Sequence, residues 1–353
     1  MSNVKAFLKK KNIEISAKRY GIDALGAMAQ GLFASLLMGT IMSTLGNQLG
    51  IEILATIGGY ASGATGAAMA VSIGFALQCP PLVLFSLAAV GMAGNSLGGA
   101  GGPLAVLVVT IFAAECGKLV SKETKIDLIV TPFVTIFVGV ALSLWWAPAI
   151  GAAASAAGQA IMWATELQPF LMGILVSVMV GIALTLPISS AAICAALGLT
   201  GLAGGAAVAG CCAQMVGFAV MSFKENGVGG LVSQGIGTSM LQMGNIVRNP
   251  KIWLPAILTS AITGPIATCI FRLQMNGPAI SSGMGTCGLV GQIGVYSGWI
   301  NDIAEGTKSA ITGMDWLGLL LICFILPGII TWAFGKLFRA IGWIRENDLK
   351  LDL

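Results

Sequence analysis

A chain of 353 residues that is 56% hydrophobic and only 9% charged cannot clothe a water-soluble domain, whose surface calls for about 25% charged residues. Its 14 acidic and 18 basic side chains leave a net charge of +4, and there is no histidine, which excludes a Ser-His-Asp or Cys-His dyad, histidine-ligated metal or haem, and a phosphohistidine on this chain. No Asp, Glu, Lys or Arg occurs over Ile53–Ala114, Leu128–Thr165 or Leu167–Phe223, and each run holds the roughly 20 apolar residues that cross a hydrocarbon core about 30 Å thick, so the fold class is an all-α polytopic membrane protein.

In chain order, residues 1–22 form a basic segment with Lys5, Lys9, Lys10, Lys11, Lys18 and Arg19. It reads as a cytoplasmic juxtamembrane anchor against membrane lipid rather than a nucleic-acid surface. The interleaved Val4, Phe7, Leu8, Ile13 and Ile15 suit a short interfacial helix. A first span is expected over Asp23–Leu45 and a second over Ile51–Leu77. Pro80-Pro81 restarts the chain for a third span to Asn95, Gly98 to Pro103 breaks it, and a fourth runs to Cys116. Lys118, Lys122 and Lys125 then mark a cytoplasmic loop. The fifth span, Leu128–Trp146, ends on a Trp145-Trp146 pair suited to the outer interface, Ala149–Thr165 suits a surface or packing helix, and the sixth span is Pro169–Leu186.

Ile188–Phe223 is too long for one crossing and is interrupted by Gly198, Gly201, Gly204 and Gly205, so two crossings are expected there. Lys224, Arg248 and Lys251 then fall on the cytoplasmic side. The stretch between them is too short for two spans and too apolar for a solvent loop, which predicts a re-entrant hairpin over about 226–247. Ile252–Phe271 crosses outward, and a second hairpin is expected over about 276–299. Asp302, Glu305 and Asp315 outnumber Lys308 in an outer loop, and Trp316–Lys336 returns inward. The expected architecture is about ten transmembrane helices plus two re-entrant hairpins, with a membrane domain over 23–338, a cytoplasmic tail over 339–353 and both termini cytoplasmic.

Both hairpins carry G-x-G-T: Gly235-Ile236-Gly237-Thr238 and Gly283-Met284-Gly285-Thr286. Irregular backbone is tolerated at membrane depth only where protein buries it or a wet cavity meets it. Paired broken segments of this kind form solute sites near the midplane of transporters. Candidate ligands in the first hairpin are Glu225, Asn226, Gln234, Thr238, Ser239, Gln242 and Asn245, and in the second Asn276, Ser281, Ser282, Thr286 and Gln292. Neutral amides and hydroxyls match the donors and acceptors of a small polar solute such as a sugar or polyol. Glu225, which begins the first hairpin, is the ionisable group placed to accept hydroxyl hydrogen bonds or a proton, and pairing with Lys224 is its alternative. The eight cysteines include no C-x-x-C pair and read as small buried hydrophobes. No nucleophile–base pair, catalytic site, metal site or cofactor is expected.

The order of Gly237-Thr238-Ser239-Met240-Leu241-Gln242, Asn249-Pro250-Lys251-Ile252-Trp253, Thr263-Gly264-Pro265 and Gly283 to Gln292 resembles the enzyme IIC-like membrane family, the sugar permease components of the phosphotransferase system, in particular its perfringolysin-regulator-like (PfoR-like) branch. That resemblance implies a homodimeric permease of the plasma (inner) membrane, an elevator-like moving domain, and separate IIA and IIB proteins that phosphorylate the solute. Glucose-type permeases use a histidine and a glutamate at the sugar site. With no histidine here, phosphorylation is left to separate subunits or lost. The resemblance also leaves open a membrane regulator or sensor acting through a partner protein.

Overall fold

The computed structural model describes residues 2–351, which are helical almost throughout, with no β-strand among them. Met1, Asp352 and Leu353, at the ends of the expected N-terminal segment and tail, lie outside the described residues, as do the side chains of Val4 and Lys5. Six helical stretches are long and apolar enough to cross a membrane. The chain divides into two compact units, Met1–Ala154 and Ser155–Leu353.

The first unit contains α1 (Ser2–Lys10), α2 (Arg19–Leu49), α3 (Glu52–Gly63), α4 (Thr65–Ala76), α5 (Pro81–Gly98), α6 (Gly102–Val120) and the start of α7 (Asp127–Thr165). α3 and then α4 follow one another antiparallel to α2, and α4, α5 and α6 pack antiparallel as successive neighbours. Gly31 of α2 abuts Ala68 and Met69 of α4, while Gly39 of α2 abuts Gly58 and Ser62 of α3. Gly66 of α4 and Gly91 of α5 interlock so closely that a Cβ on either would lie 2.3 or 2.1 Å from the other's carbonyl oxygen. Between helices in lipid, where no hydrophobic drive operates, such small residues let backbones approach and gain dispersion contacts. Pro81 opens α5, and Gly99, at φ 49°, folds α6 back against it. Pro132 and Pro148 do not end α7, so Ala149–Thr165 continues the fifth expected span instead of forming a separate helix.

The basic residues of this unit gather at one end. Lys118, 1% exposed, pairs with Glu115 at 2.8 Å. Its ammonium also donates to the carbonyls of Asn12 and Leu77 at 3.0 and 3.2 Å. Arg19 Nη2 reaches the same Leu77 carbonyl at 2.6 Å, so two cations cap the C-terminal end of α4. Lys11 donates to the Ser121 carbonyl and pairs with Glu123 at 2.5 Å. The hydrogen bond from Lys11 holds the Glu123 carboxyl below the ordinary carboxylate range. A depressed folded-state value means the tie is present above the unfolded pKa and is lost as pH falls through the folded one. Amide exchange of residues 7–13 should therefore rise as pH falls below the ordinary carboxylate range, after correction for intrinsic rates, and Glu123→Gln should abolish that dependence.

The second unit holds the rest of α7, then α8 (Pro169–Thr185), α9 (Ser190–Ala196), α10 (Gly201–Met221), α11 (Phe223–Val232), α12 (Met243–Arg248), α13 (Pro250–Phe271), α14 (Val290–Ala304) and α15 (Gly313–Ala340). Its axis is α10, buried along most of its length. Gly210 lies on α8, where an added Cβ would meet the Ser177 carbonyl oxygen at 1.9 Å, and Gly217 lies on Thr331 of α15. Ser177 and Thr185 of α8 meet Gly210 and Gln214 of α10, and Gly217 and Met221 of α10 meet Thr331 and Gly335 of α15, so these three run parallel. Thr268, Gly264 and Ser260 of α13 meet Pro169, Gly173 and Ser177 of α8 in turn, so α13 runs against them.

One expected element is corrected here. Ile188–Phe223 does not supply two spanning helices. The seven residues of α9 rise only about 10 Å, and positive φ at Gly198 and Gly201 separates them from α10. Because α8 and α10 are parallel, the 186–200 segment turns back along the unit as a short broken piece.

Candidate functional site

The first hairpin begins where α10 ends. Gly227 (φ 58°, ψ −154°) breaks α11 near its start, and a π-helical turn, Ser233–Gly237, leads to an extended Thr238. Thr238 Oγ1 accepts the Met240 amide at 3.1 Å, which starts the short 3₁₀ turn Ser239–Gln242 before α12. The second hairpin begins at the other end of α10, where Met275 and Gly201 exchange two backbone hydrogen bonds of 2.9 and 3.0 Å. Its descending arm holds a 3₁₀ turn, Ala279–Gly283, whose last carbonyl accepts the Ser190 hydroxyl at 2.7 Å. Gly285, at φ 54°, bends the tip against Cys211 and Cys212, in the middle of α10.

The hairpins thus enter from opposite ends of α10, and their tips meet: Ser233–Gly237 lies against Cys287–Leu289. Among the expected site residues, Gln234, Thr238, Ser239, Gln242, Ser281, Ser282, Thr286 and Gln292 are all buried around this region of the unit. Their hydrogen bonds differ in kind. Asn245 donates to Gln242 Oε1 at 2.8 Å, Gln242 to Gln234 Oε1 at 2.9 Å, and Gln234 to Ser222 Oγ at 2.9 Å, a chain of amides that closes the first hairpin on itself. Ser239 shares a 2.8 Å hydrogen bond with Thr185 of α8, and Ser282 donates to the Ala279 carbonyl.

On the second tip the polar capacity is less used. Thr286 Oγ1 has only a 3.6 Å contact to Met215 Sδ, and Gln292 Nε2 one of 3.3 Å to Cys212 Sγ. Gln292 Oε1 is buried with no hydrogen-bond partner. Buried amide oxygens are paired in the great majority of cases, so an orphan beside a break in the backbone marks a place for a missing donor.

Three expected ligands lie away from the tips. Glu225, 4% exposed at its side chain, pairs with Arg339 of α15 at 2.6 Å, not with Lys224, which pairs with Glu346. Asn226 bonds the C-terminal segment, donating to the Leu349 carbonyl at 2.8 Å. Asn276 donates to both carboxylate oxygens of Asp302 at 2.9 Å and lines a cavity of about 700 Å³ with Arg272, Gln274, Trp299 and Glu305, at the mouth of the second hairpin.

Sequence reasoning passed over Gln214. Fully buried in α10, its Oε1 accepts from Trp253 Nε1 at 2.8 Å and from Thr185 at 3.3 Å, and through Thr185 it supports Ser239 at the first tip. The one signal was a lone amide inside an apolar helix, which is costly in lipid unless partnered. Among the described residues no group of three or more His, Cys, Asp or Glu side chains forms a metal site.

Comparison with known proteins adds one assignment. The family model described as Phosphotransferase system, EIIC matches residues 22–351. No curated protein and no solved structure matches the chain.

Proposed function

The chain belongs to the phosphotransferase system EIIC family, and from that premise we propose that it binds and translocates a small polar solute, a sugar or polyol, between its two hairpin tips. As a member of that family with several membrane-spanning helices it is a multi-pass protein of the inner membrane. The observation that carries the solute reading is Gln292 Oε1, buried and without a donor in the first turn of α14, next to the turn that meets the first hairpin. A solute hydroxyl would satisfy it. The Thr286 hydroxyl on the same tip and the Thr238 hydroxyl proton on the other hairpin have capacity to spare, and the arrangement offers hydrogen bonds without charge, as a neutral carbohydrate requires.

Gln292→Leu should weaken solute binding by about 5- to 150-fold, the range for losing a buried hydrogen-bond partner worth about 1–3 kcal/mol, while expression is unchanged. Equilibrium binding of a panel of labelled hexoses and hexitols to the purified protein measures it. A variant that binds as tightly as the parent removes the basis for this site.

The rest of the reading follows the family. Phosphorylation is left to separate IIA and IIB proteins or lost, since this chain has no histidine to carry a phosphoryl group. Both termini face the cytoplasm by the positive-inside rule, and the gathering of Lys11, Arg19 and Lys118 at one end of the first unit supports a shared cytoplasmic side for these segments. Treating α8 and α9 as a third re-entrant pair leaves the crossing parity unchanged. We further infer a homodimer with an elevator-like moving domain, and a strictly monomeric mass in mild detergent would count against it.

A further inference from the structure

The amide groups of the first hairpin hold a peptide. Asn226 grips the segment at two points: its Nδ2 donates to the Leu349 carbonyl and its Oδ1 accepts the Leu351 amide, both at 2.8 Å. Gln242 Nε2 donates to the same Leu349 carbonyl at 3.0 Å, and Asn245 Nδ2 to the Lys350 carbonyl at 2.9 Å. Asn249 at the end of α12 donates to the Trp343 carbonyl at 2.9 Å. The side chains of Leu349 (0% exposed) and Leu351 (9%) point inward, while Lys350 between them faces out.

Two features set this contact apart from ordinary core packing. Apart from Asn249 on Asp348 and Lys224 on Glu346, recognition runs from hairpin side chains to the main chain of the segment, so it reads a turned backbone, with Asn347 at φ 67°, and the buried anchors Ile344, Leu349 and Leu351. The segment also follows Gly342, at φ 75°, and shares no helix with the elements it touches. Local opening of a segment outside the helices costs less than global unfolding.

We propose that the first hairpin is a receptor for a turn-forming peptide, that Trp343–Leu351 is its resident occupant, and that this occupant is displaceable and shuts the way into the hairpin while bound. The blocking role rests on the solute reading above, since Gln242 and Asn245 belong to the amide chain that leads from the segment to Gln234. The peptide contact itself does not.

The test uses the full-length chain and a fluorescein-labelled synthetic peptide of residues 343–351 as the probe. Leu349→Glu places a charge at a buried anchor and should free the resident segment. The variant should bind the probe at least about 10-fold more tightly than the parent. Adding Asn226→Ala should weaken that binding by about 5- to 150-fold. In parallel, hydrogen exchange on the parent chain should show the Leu351 amide exchanging faster in saturating unlabelled peptide, with α12 amides unchanged. A monodisperse, folded Leu349→Glu protein with no saturable probe binding overturns the proposal. So does binding indifferent to Asn226, and, should the variant not fold, so does Leu351 exchange that added peptide leaves unaltered. No solute enters these measurements, so their failure and a failure of the Gln292→Leu experiment are distinguishable.

Discussion

Arg339→Ala should destabilise the protein by about 2–4 kcal/mol, below the roughly 3–5 kcal/mol for removing one partner of a fully buried ion pair because Arg339 is partly exposed. Arg339 Nη2 lies 2.6 Å from Glu225 Oε1, and the side chains are 28% and 4% exposed. The guanidinium also donates through both Nη atoms to the Met221 carbonyl at 3.2 Å, so the same group caps the C-terminal end of α10. Alanine there strands a carboxylate whose second oxygen already lacks a partner, and uncovers a helix end as well. Chemical denaturation in a fixed detergent gives the difference. Adding Glu225→Gln removes the stranded charge, so the double variant should recover a large part of the loss. An Arg339→Ala protein as stable as its parent would make Glu225 a solvated boundary residue.

That pair shows where sequence reading stops. The charge-free runs, Pro81 and Gly99 were enough to place α5 and α6, because proline and glycine act on their own backbone. The backbone turns at Ser233–Gly237 and at 283–286 were legible for a related reason: a glycine-rich apolar stretch bends where its neighbours cannot. The partner of Glu225 was not legible, since Arg339 is 114 residues away and only the packing of α15 beside α10 brings it near. The same holds for Asn226 and Gln242, whose partners lie more than 100 residues along the chain. Pro148 misled in the opposite direction. A proline costs a helix one hydrogen bond, which often ends it in water, but α7 runs through it as membrane helices do. The 188–200 stretch misled because apolar length suggested a crossing, whereas the positive φ at Gly198 and Gly201 is visible only in the fold.

The two G-x-G-T motifs read alike in sequence and differ in what their glycines do, which gives the second large expected effect. Gly285 sits at φ 54°, and a Cβ there would lie 2.7 Å from Cys211 Cβ and 2.9 Å from the Cys211 carbonyl carbon. A side chain meets both penalties together: about 1–2 kcal/mol for the left-handed conformation and about 1–3 kcal/mol for overpacking against a buried helix. Gly285→Ala should therefore cost about 2–5 kcal/mol and lift the second tip from α10, taking Thr286 and the 287–289 turn with it. Gly235, the first glycine of the other motif, has no positive φ, and an added Cβ would meet only Ala219 Cβ at 3.4 Å, an ordinary contact, whereas at its counterpart Gly283 it would meet the Ser190 carbonyl oxygen at 2.6 Å. Gly235→Ala should change stability by no more than about 1 kcal/mol, because alanine is the better helix residue and the space exists. Denaturation midpoints of the two variants, measured side by side, test the asymmetry. Equal losses would mean that the tips are seated alike, and that the close approach of Gly285 to α10 does not set the geometry on which the proposed solute site depends.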